Sequence, residues 1–393
     1  MANYCIPECK MPLAAGLAVL LLFAAMDFSQ TDREFMSRAL ALAGRALYTT
    51  SPNPRVGCVV VRNGEVVGEG WHEAAGQPHA EVNALRLAGE ASRGATAYVT
   101  LEPCNHQGRT PPCTEAIIKA GVARVVAAMQ DPNPLVSGQG FARLAQAGIQ
   151  VDQGLLDNEA RDLNIGFVSR MTRRRPWVRM KIAASLDGRT ALANGESQWI
   201  TSQAARDDGH YWRARACALL TGIGTLREDD PQLNVRAVQT PRQPLKVLID
   251  SRLEASPEAK LFQSGKTLVF AGGPHPERAA ALSARGAEIV VLANANGKVE
   301  LPDMLEELSR RGINELHVEA GSKLNGSMLR EGCVDELLVY FAPLLIGDAG
   351  QGMFHLPELT DLSKAQRLAI VEIAPVGEDV RMRARIINPS RSQ

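Results

Sequence analysis

One histidine, two cysteines and a glutamate carry the clearest chemistry in this sequence. His79-Ala80-Glu81 is followed by Cys104, which comes directly after a proline, and by Cys113 nine residues later. One imidazole and two thiolates form a three-ligand set for Zn²⁺ that leaves a fourth position for water. A catalytic zinc lowers the pKa of that water toward ~7, and a nearby carboxylate can take up the proton. The pattern therefore predicts a hydrolytic zinc site with Glu81 as its acid and base.

The spacing of the two cysteines departs from the general pattern for this chemistry. The signature of zinc deaminases is H-x-E followed by P-C-x-x-C, and Gln107 stands where that pattern requires the second cysteine. Two other interpretations therefore stay open on the residues alone. His106 can be the fourth ligand of a closed zinc site whose metal is purely structural. Alternatively, these residues belong to a core and bind no metal.

The composition places this motif in a globular chain of more than one domain. At ~150 residues per domain, 393 residues predict two or three domains, and 45% hydrophobic with 22% charged residues exclude bulk disorder. Lys and Arg number 43, as do Asp and Glu, so the sequence has no basic excess of the kind typical of nucleic-acid binding. Seven cysteines do not make a disulfide scaffold at this length, and we expect a reducing compartment, the cytoplasm.

The first 28 residues differ in character from the rest of the chain. Met11 to Met26 is an apolar run of sixteen residues, shorter than the ~20 residues of a membrane-spanning helix. It has the length of a signal-peptide core. We favour instead an upstream start codon, with Met26 as the natural first residue, because the remaining sequence is typical of a cytosolic enzyme.

Strands alternate with helices along both halves of the chain and predict an α/β fold. In the first half, Val56–Val61 and Glu65–Gly70 flank Asn63-Gly64, a pair that favours a type I′ hairpin turn. Thr31–Glu34 has the pattern of a capping box, so we expect the first helix to begin at Thr31.

An arginine-rich stretch separates the two halves. Residues 170–176 hold four arginines, which we interpret as a solvated linker, with contact to a phosphate as the alternative. The predicted segments are an N-terminal extension over 1–28, a first domain over 29–171, a linker over 172–176 and a second domain over 177–393.

The second half has no G-x-G-x-x-G fingerprint after its first strand, so the sequence does not indicate a Rossmann fold. Instead, Gly321–Ser327 follows the predicted strand Glu315–Val318 and leads into a helix. Backbone N–H groups at a helix start can hold a phosphate, and Lys323 adds positive charge. The loop is a candidate nucleotide site, with a plain connecting turn as the alternative.

Seven segments carry longer motifs. Those of the first half are Ser51-Pro52-Asn53-Pro54-x-Val56-Gly57, Gly70-x-His72, His79-Ala80-Glu81 and Pro103-Cys104-x-His106-x-Gly108-Arg109-Thr110-Pro111-Pro112-Cys113. Those of the second half are Lys181-x-x-x-Ser185-Leu186-Asp187-Gly188-Arg189, Gly195-Glu196-Ser197-Gln198-Trp199-Ile200-Thr201 and Val318-Glu319-Ala320-Gly321. Together they resemble the bifunctional deaminase/reductase family of riboflavin biosynthesis, in which the cysteine pair is widely spaced. The resemblance covers residues 30 to 390.

The resemblance implies a two-domain α/β protein, with an N-terminal cytidine-deaminase-like α/β/α sandwich and a C-terminal dihydrofolate-reductase-like α/β domain. It implies zinc-dependent hydrolytic deamination of 2,5-diamino-6-ribosylamino-4(3H)-pyrimidinone 5′-phosphate. The implied second step is NADPH-dependent reduction of the ribosyl chain of 5-amino-6-(5-phosphoribosylamino)uracil to ribityl. The implied cofactors are Zn²⁺ and NADPH, and the implied assembly is a homodimer or homotetramer.

For the deaminase half, the resemblance assigns zinc to His79, Cys104 and Cys113, and proton transfer to Glu81. The implied substrate contacts are Asn53, His72, His106 and Arg109. These residue types suit the substrate, because amides and imidazoles can bind the edges of a pyrimidine and an arginine can bind a phosphate.

For the reductase half, the resemblance assigns both cofactor and substrate contacts. The implied NADPH contacts are Ala183, Trp199, Thr225, Asp229, Ser251, Gly321, Ser322, Lys323, Leu324, Asn325, Gly326 and Ser327. The implied substrate contacts are Ser197, Arg213, Leu233, Arg236 and Glu319. The candidates for proton transfer to the opening sugar are Lys181, Asp229 and Glu319.

The alternative activity is a zinc deaminase that acts on a nucleobase in tRNA or on a free nucleoside. The balanced charge and the candidate phosphate site in the second half count against it. We therefore expect a small-molecule substrate, and neither a nucleic acid nor a membrane as a partner.

Overall fold

The computed structural model describes residues 28–106, 111–134 and 136–387. The apolar N-terminal run and Arg109 lie outside the described residues. Within them, helices accompany two large sheets, one in each of two domains, and the predicted α/β fold class is confirmed. Among the described helices, none has the length and apolar character needed to cross a bilayer.

The first domain is built on a five-stranded sheet. Its strands are β1 (Gly57–Arg62), β2 (Glu65–Trp71), β3 (Thr96–Val99), β4 (Arg124–Ala127) and β5 (Gln150–Gln153). Its helices are α1 (Gln30–Gly44), α2 (Ala80–Ala88), α3 (Cys113–Ala120), α4 (Gln139–Gln146), α5 (Asp157–Leu163) and α6 (Ile165–Arg173). The strand order is β2-β1-β3-β4-β5, in which β3, β4 and β5 are parallel and β1 is antiparallel to both neighbours.

The predicted hairpin is confirmed and helps to place the zinc motif. Asn63 and Gly64 join β1 to β2 with φ values of 53° and 82°, as a type I′ turn requires. At the other end of β2, a Cβ on Gly70 would lie 2.5 Å from the carbonyl oxygen of Ala80. Only glycine therefore allows the first turn of α2, which carries Glu81, to pack this closely on the strand.

The first helix begins earlier than predicted. Its N-cap is Ser29, and the capping box pairs Ser29 with Asp32, so the expected start at Thr31 is wrong. Asp32 also accepts hydrogen bonds from the Tyr98 hydroxyl and from Arg124, each at 2.7 Å. A carboxylate that caps a helix and binds a neighbouring strand stabilises the cap more strongly than a serine or threonine alone.

Replacing Asp32 with asparagine is expected to lower stability in a pH-dependent way. Burial alone would raise the pKa of Asp32, but hydrogen bonds from Arg124, Tyr98 and Ser29 outweigh it and lower the pKa to about 2. The stabilisation is therefore present above the ordinary pKa of 3.8 and is lost as the pH falls toward 2. The difference between the urea midpoints of the two proteins should be largest above pH 5 and should shrink as the pH falls from 4 toward 2; an unchanged difference at pH 3 contradicts this.

The second domain is built on a nine-stranded sheet. Its strands are β6 (Trp177–Ser185), β8 (Ala218–Gly222), β9 (Leu245–Ile249), β10 (Thr267–Ala271), β11 (Ala287–Val291), β12 (Glu315–Val318), β13 (Glu336–Ala342), β15 (Leu368–Val376) and β16 (Asp379–Ile386), and β7 (Arg189–Ala191) pairs separately with β14 (Gln351–Gly352). Its helices are α7 (Gln203–Arg215), α8 (Ile223–Asp229), α9 (Pro276–Ser283), α10 (Leu301–Arg310) and α11 (Ser322–Arg330).

The order of this sheet is β11-β10-β9-β8-β12-β6-β13-β16-β15. The seven strands from β11 to β13 are parallel, so their carboxyl ends meet along one edge, where α/β folds place their ligands. The last two strands, β16 and β15, are antiparallel and close one side of the sheet.

The expected solvated linker is wrong for three of its arginines. α6 extends to Arg173, and both Arg173 and Arg175 donate to the buried carboxylate of Asp335, at 2.8 and 2.9 Å. Arg170 is half-buried and bonds to Asn314 of the second domain at 2.6 Å. This stretch holds the two domains together, because each of these three guanidinium groups donates a hydrogen bond to a residue of the second domain.

One buried carboxylate forms the centre of the contact between the domains. Glu315, at the start of β12, is 1% exposed. It accepts from Arg55 of the first domain at 2.9 Å, and from Arg179 at 3.1 Å and Arg215 at 2.7 Å of its own domain. Arg55 lies two residues after Asn53, so this network reaches the predicted substrate loop.

Candidate active sites

The three predicted zinc ligands converge. His79 is the N-cap of α2, Cys104 follows β3, and Cys113 is the first residue of α3. One ligand atom from each lies within 4.8 Å of the others, and His79 Nδ1 is 3.1 Å from Cys113 Sγ and 3.6 Å from Cys104 Sγ. One imidazole nitrogen and two thiolates at such spacing fit a tetrahedral Zn²⁺ with one open position.

The surroundings favour the ionised form of the first cysteine. Hydrogen bonds from the Cys113 thiol and the His79 ring lower the pKa of Cys104 to about 4. The backbone N–H of Cys113, at the start of α3, also points at Cys104 Sγ at 3.5 Å. These contacts favour the thiolate form of Cys104, the form that binds zinc. His106 is exposed and is not one of the three converging residues.

Glu81 lies beside this group, in the first turn of α2. Its side chain is 4% exposed and lines the same cavity as His79 and Cys104. Burial raises its pKa, which brings a carboxyl group closer to the pKa at which it can both accept and donate a proton near neutral pH.

The tautomer of His72 is set by its partners. Burial lowers the pKa of His72, so the ring is neutral. Its Nδ1–H donates to the carbonyl oxygen of Pro78 at 3.2 Å, and its Nε2 accepts from Asn53 Nδ2 at 3.1 Å. The Asn53 amide thus keeps its oxygen and its second N–H for the edge of a pyrimidine.

These groups line one cavity of about 580 Å³, a size suited to a nucleotide-like ligand. Asn53, His72, Glu81 and His106 all border it. The structure thus brings together every deaminase residue singled out in the sequence except Arg109, which lies outside the described residues.

The same cavity has walls that the sequence analysis missed. Asp131 and Asn133 border it just after β4, and the buried carboxylate of Glu102 holds their loop by accepting from the backbone N–H groups of Asp131, Gly138 and Gly140. Burial raises the pKa of Asp131 to about 6. The polar run Asp-Pro-Asn-Pro at residues 131–134 lies shortly after the parallel strand β4. Such a position could have predicted this side of the cavity from the sequence.

The remaining wall comes from farther along the chain. Phe167, Arg170 and Met171 of α6 line the cavity, and so does Gly312, which lies just before β12 of the second domain. Of these positions, the sequence analysis singled out only Arg170, through the arginine-rich stretch for which contact with a phosphate was the alternative interpretation. Phe167, Met171 and Gly312 belong to no motif with a recognisable spacing.

The second site lies at the carboxyl edge of the parallel sheet. Arg213 of α7 donates two hydrogen bonds to the carboxylate of Glu319, at 2.5 and 2.7 Å, just beyond the end of β12. Lys181 of β6 is half-buried beside them, and desolvation lowers its pKa. Burial alone would raise the pKa of Glu319, but Arg213 holds it well below its usual range. The structure brings these three predicted residues together.

Several predicted NADPH contacts lie at the same edge. Thr225 faces Gly321, where an added Cβ would lie 3.8 Å from the threonine Oγ1. Gln198 donates to Asp229 at 3.2 Å, and the neighbouring Trp199 is 67% exposed. Ser251 follows the end of β9, Ala183 lies within β6, and Ser197 belongs to the same loop as Trp199.

Two predicted substrate contacts lie next to Arg213. Arg213 and Arg236 both donate to Asn234, one to its backbone oxygen and one to its side chain, each at 3.2 Å. Leu233, the residue before Asn234, is 3% exposed. Both guanidinium groups therefore contact the same residue, Asn234.

The predicted phosphate loop is in fact the beginning of a helix. Gly321 is the N-cap of α11, and Ser322, Lys323, Leu324, Asn325, Gly326 and Ser327 all belong to that helix. Only the first residues of the segment can offer free N–H groups to a phosphate. Asn325 and Gly326 are buried, and a Cβ on Gly326 would lie 2.0 Å from the backbone oxygen of His355, so the later part of the segment serves packing.

Comparisons with known proteins match both halves of the chain. Residues 29–129 match the family model described as the cytidine and deoxycytidylate deaminase zinc-binding region. Residues 176–382 match the model described as the RibD C-terminal domain. The two models together account for most of the described residues, with the zinc motif inside the first match and the Arg213–Glu319 pair inside the second.

Relatives extend the match over nearly the whole chain. The riboflavin biosynthesis protein RibD of Escherichia coli is 48% identical, over 89% of this chain and 98% of that protein. Its counterpart in Haemophilus influenzae is 46% identical, over 91% of this chain and 98% of its own. A solved structure of Acinetobacter baumannii RibD superimposes with a TM-score of 0.84 at 42% identity, covering 91% of this chain and 99% of that one.

Proposed function

Because this chain belongs to the RibD family of bifunctional deaminase/reductases, we propose that His79, Cys104 and Cys113 bind the zinc ion of its deaminase half. The chain is an enzyme of riboflavin biosynthesis with two activities, and its cofactors are Zn²⁺ and NADPH. It deaminates 2,5-diamino-6-ribosylamino-4(3H)-pyrimidinone 5′-phosphate and reduces the ribosyl chain of the resulting aminouracil to ribityl. The assignment of residues to these reactions rests on the convergence of three ligand atoms beside a buried carboxylate.

In the deaminase half, the chain's residues hold the ring and move the proton. Bound Zn²⁺ supplies a Lewis acid that makes water nucleophilic near neutral pH. Glu81 takes the proton of the attacking water at its carboxylate and passes it to the departing amine. Asn53 binds the pyrimidine edge through its free amide atoms, and His72 holds that amide in place. His106 and Arg109 complete the substrate contacts, with Arg109 on the phosphate.

In the reductase half, the chain's residues hold the sugar phosphate and supply a proton as the ribose opens. Bound NADPH supplies the hydride. Lys181 is the proton donor in this proposal: burial lowers its pKa and favours loss of its proton, while the negative charge of Glu319 opposes that shift. Asp229 is exposed and bonds to Gln198, so it suits a contact with the cofactor. Arg213 and Arg236 bind the phosphate, and Ser197 and Leu233 border the sugar.

The domain limits predicted from the sequence are part of this proposal. The deaminase domain over 29–171 contains the family match at 29–129, and the reductase domain over 177–393 overlaps the match at 176–382, which begins at the last residue of the linker over 172–176. The enzyme works in the cytoplasm, where thiols stay reduced. In support, the cysteines among the described residues are free thiols, and two of them are zinc ligands in this assignment.

The assembly is a homodimer formed through the outer strand of the reductase sheet. β15 is an edge strand with free hydrogen-bonding groups on one side. Its side chains include Ile370 and Ile373, which are 61% and 62% exposed. An exposed apolar edge strand is an unfavourable surface in water and favours association with a second copy. Sedimentation at micromolar concentration distinguishes a monomer from the expected dimer.

Removing the metal tests the assignment of the first site. Treatment with a chelator is expected to abolish deamination of the diaminopyrimidine phosphate and to leave NADPH-dependent reduction of the aminouracil substrate unchanged, because His79, Cys104 and Cys113 all belong to the deaminase half. Readdition of one equivalent of Zn²⁺ should restore deamination. Full deamination by protein with no measurable metal would overturn the assignment, whereas loss of both activities on chelation would show that the metal serves folding.

A further inference from the structure

The loop that supplies Asn53 to the deaminase cavity is held by the other domain. The backbone oxygen of Pro52, the residue before Asn53, accepts from Asn314 Nδ2 at 3.0 Å and from Arg170 Nη2 at 3.2 Å. Asn314 lies directly before β12 of the reductase domain and is 4% exposed. A buried amide of one domain therefore fixes the backbone next to a predicted substrate contact of the other.

The same amide also orients Arg170. Arg170 Nε donates to Asn314 Oδ1 at 2.6 Å, so Asn314, Arg170 and Pro52 form a closed set of three hydrogen bonds. These bonds use two of the five N–H donors of the guanidinium. Arg170 and Pro52 both line the deaminase cavity, and the remaining donors of Arg170 are available to a ligand there.

The packing around Asn314 leaves it little freedom. A Cβ on Gly166 would lie 2.6 Å from the backbone oxygen of Asn314, and one on Gly312 would lie 3.3 Å from Pro52 Cβ. The backbone oxygen of Asn314 also accepts from Trp177 N at 2.8 Å. α6, the substrate loop and the start of β12 are therefore in direct contact. A change in the position of the Asn314 side chain would shift the substrate loop.

We propose that Asn314 is a positioning residue for deamination, through which the reductase domain completes the deaminase site. The inference rests on the assignment of the cavity to deamination, given above. Asparagine suits the role because its side chain offers one acceptor to Arg170 and one donor to Pro52 at the same time. Its loss removes the acceptor of Arg170 Nε and the Nδ2 donor to Pro52, so that only the longer bond from Arg170 Nη2 still holds the Pro52 oxygen. Pro52 and Asn53 are then freer to move away from the pyrimidine edge.

The size of the effect follows from the geometry of catalysis. A displacement of about 1 Å of a positioning contact can reduce the rate by ~10²-fold. The loop keeps two other anchors, since the Asn164 side chain bonds to both the backbone N–H and the backbone oxygen of Arg55. We therefore expect the Asn314→Ala variant to lose ~10-fold to 100-fold in kcat/KM for deamination, mainly through a higher KM.

The test compares this variant with one that loosens the same domain contact elsewhere. Arg385 Nη2 bonds to Asp162 Oδ1 at 2.8 Å across the domain boundary without touching the substrate loop. In full-length, zinc-loaded protein, Asn314→Ala should impair deamination, keep its zinc and change NADPH-dependent reduction less than twofold. Arg385→Ala should change both activities less than twofold.

A second variant separates the two bonds and guards against a folding defect. Asn314→Asp keeps an acceptor for Arg170 but has no donor for Pro52. Its kcat/KM for deamination should therefore lie between those of the wild type and the alanine variant. Normal deamination by Asn314→Ala in an otherwise active enzyme overturns the positioning role and leaves the assignment of the cavity intact. Equal losses of deamination and reduction in both Asn314 variants also overturn it, because they indicate a general structural role.

Discussion

The Glu81→Gln variant is expected to retain its zinc ion and to deaminate ~10²-fold to 10⁴-fold more slowly than the wild type, the range attributed to general acid–base catalysis. Glutamine has nearly the shape of glutamate but cannot take up a proton at neutral pH. His79, Cys104 and Cys113 are unchanged, so metal content should stay at one equivalent. Reduction of the aminouracil substrate should be unaffected, because Glu81 lies in the other domain.

The matched control is Glu115→Gln. Glu115 occupies the first turn of α3, the helix that begins with the ligand Cys113, just as Glu81 occupies the first turn of α2. Its carboxylate is about half exposed and bonds to Arg143, away from the cavity. The control removes the same charge at the same place in a helix, and its deamination rate should stay within twofold of the wild type. Full activity of Glu81→Gln with zinc bound contradicts the acid and base role.

The Glu315→Gln variant is expected to lose ~3–5 kcal/mol of stability, as is typical when one partner of a buried ion pair is removed. Burial alone would raise the pKa of Glu315, but Arg215, Arg55 and Arg179 hold it far below its usual range. A neutral amide leaves Arg55 and Arg215 without their counter-charge, whereas Arg179 keeps the carboxylate of Glu336 at 3.0 Å. The urea midpoint of unfolding measures the loss, and because Arg55 belongs to the deaminase domain, that domain should be destabilised too.

A surface carboxylate provides the comparison. Glu288 also binds an arginine through two hydrogen bonds, from Arg311 at 2.6 and 2.9 Å, but its side chain is 59% exposed. Exposed pairs contribute ~0–1 kcal/mol, so Glu288→Gln should shift the midpoint little. A Glu315→Gln protein no less stable than Glu288→Gln would show that the buried network contributes no net stability.

The sequence predicted those features that depend on neighbouring residues. Asn63-Gly64 specifies its turn through the φ values that these two residues tolerate, and the sequence also placed the parallel strand Glu315–Val318. The zinc ligands were predicted because imidazole and thiolate are rare, specific ligand types. The first helix was misplaced by two residues, because both Ser29 and Thr31 can cap and only the tertiary contacts of Asp32 decide between them.

The contacts between the domains could not be predicted from the sequence. Arg173 and Arg175 have the local pattern of a solvated stretch, and only the fold brings Asp335 to them. Asn314 is one of many asparagines near a strand, and its partners Pro52 and Arg170 are far away along the chain. β15 and β16 were not predicted, since β15 combines a proline with apolar side chains that a monomer leaves exposed.

The central claim is that one chain performs both reactions at two sites, and product masses test it most directly. Purified enzyme given the diaminopyrimidine phosphate without NADPH should convert it to a product ~1 Da heavier, through exchange of an amine for an oxygen. Addition of NADPH should shift that product by a further ~2 Da, through one hydride and one proton. No mass change without NADPH, or a first product that NADPH leaves unaltered, would contradict the account.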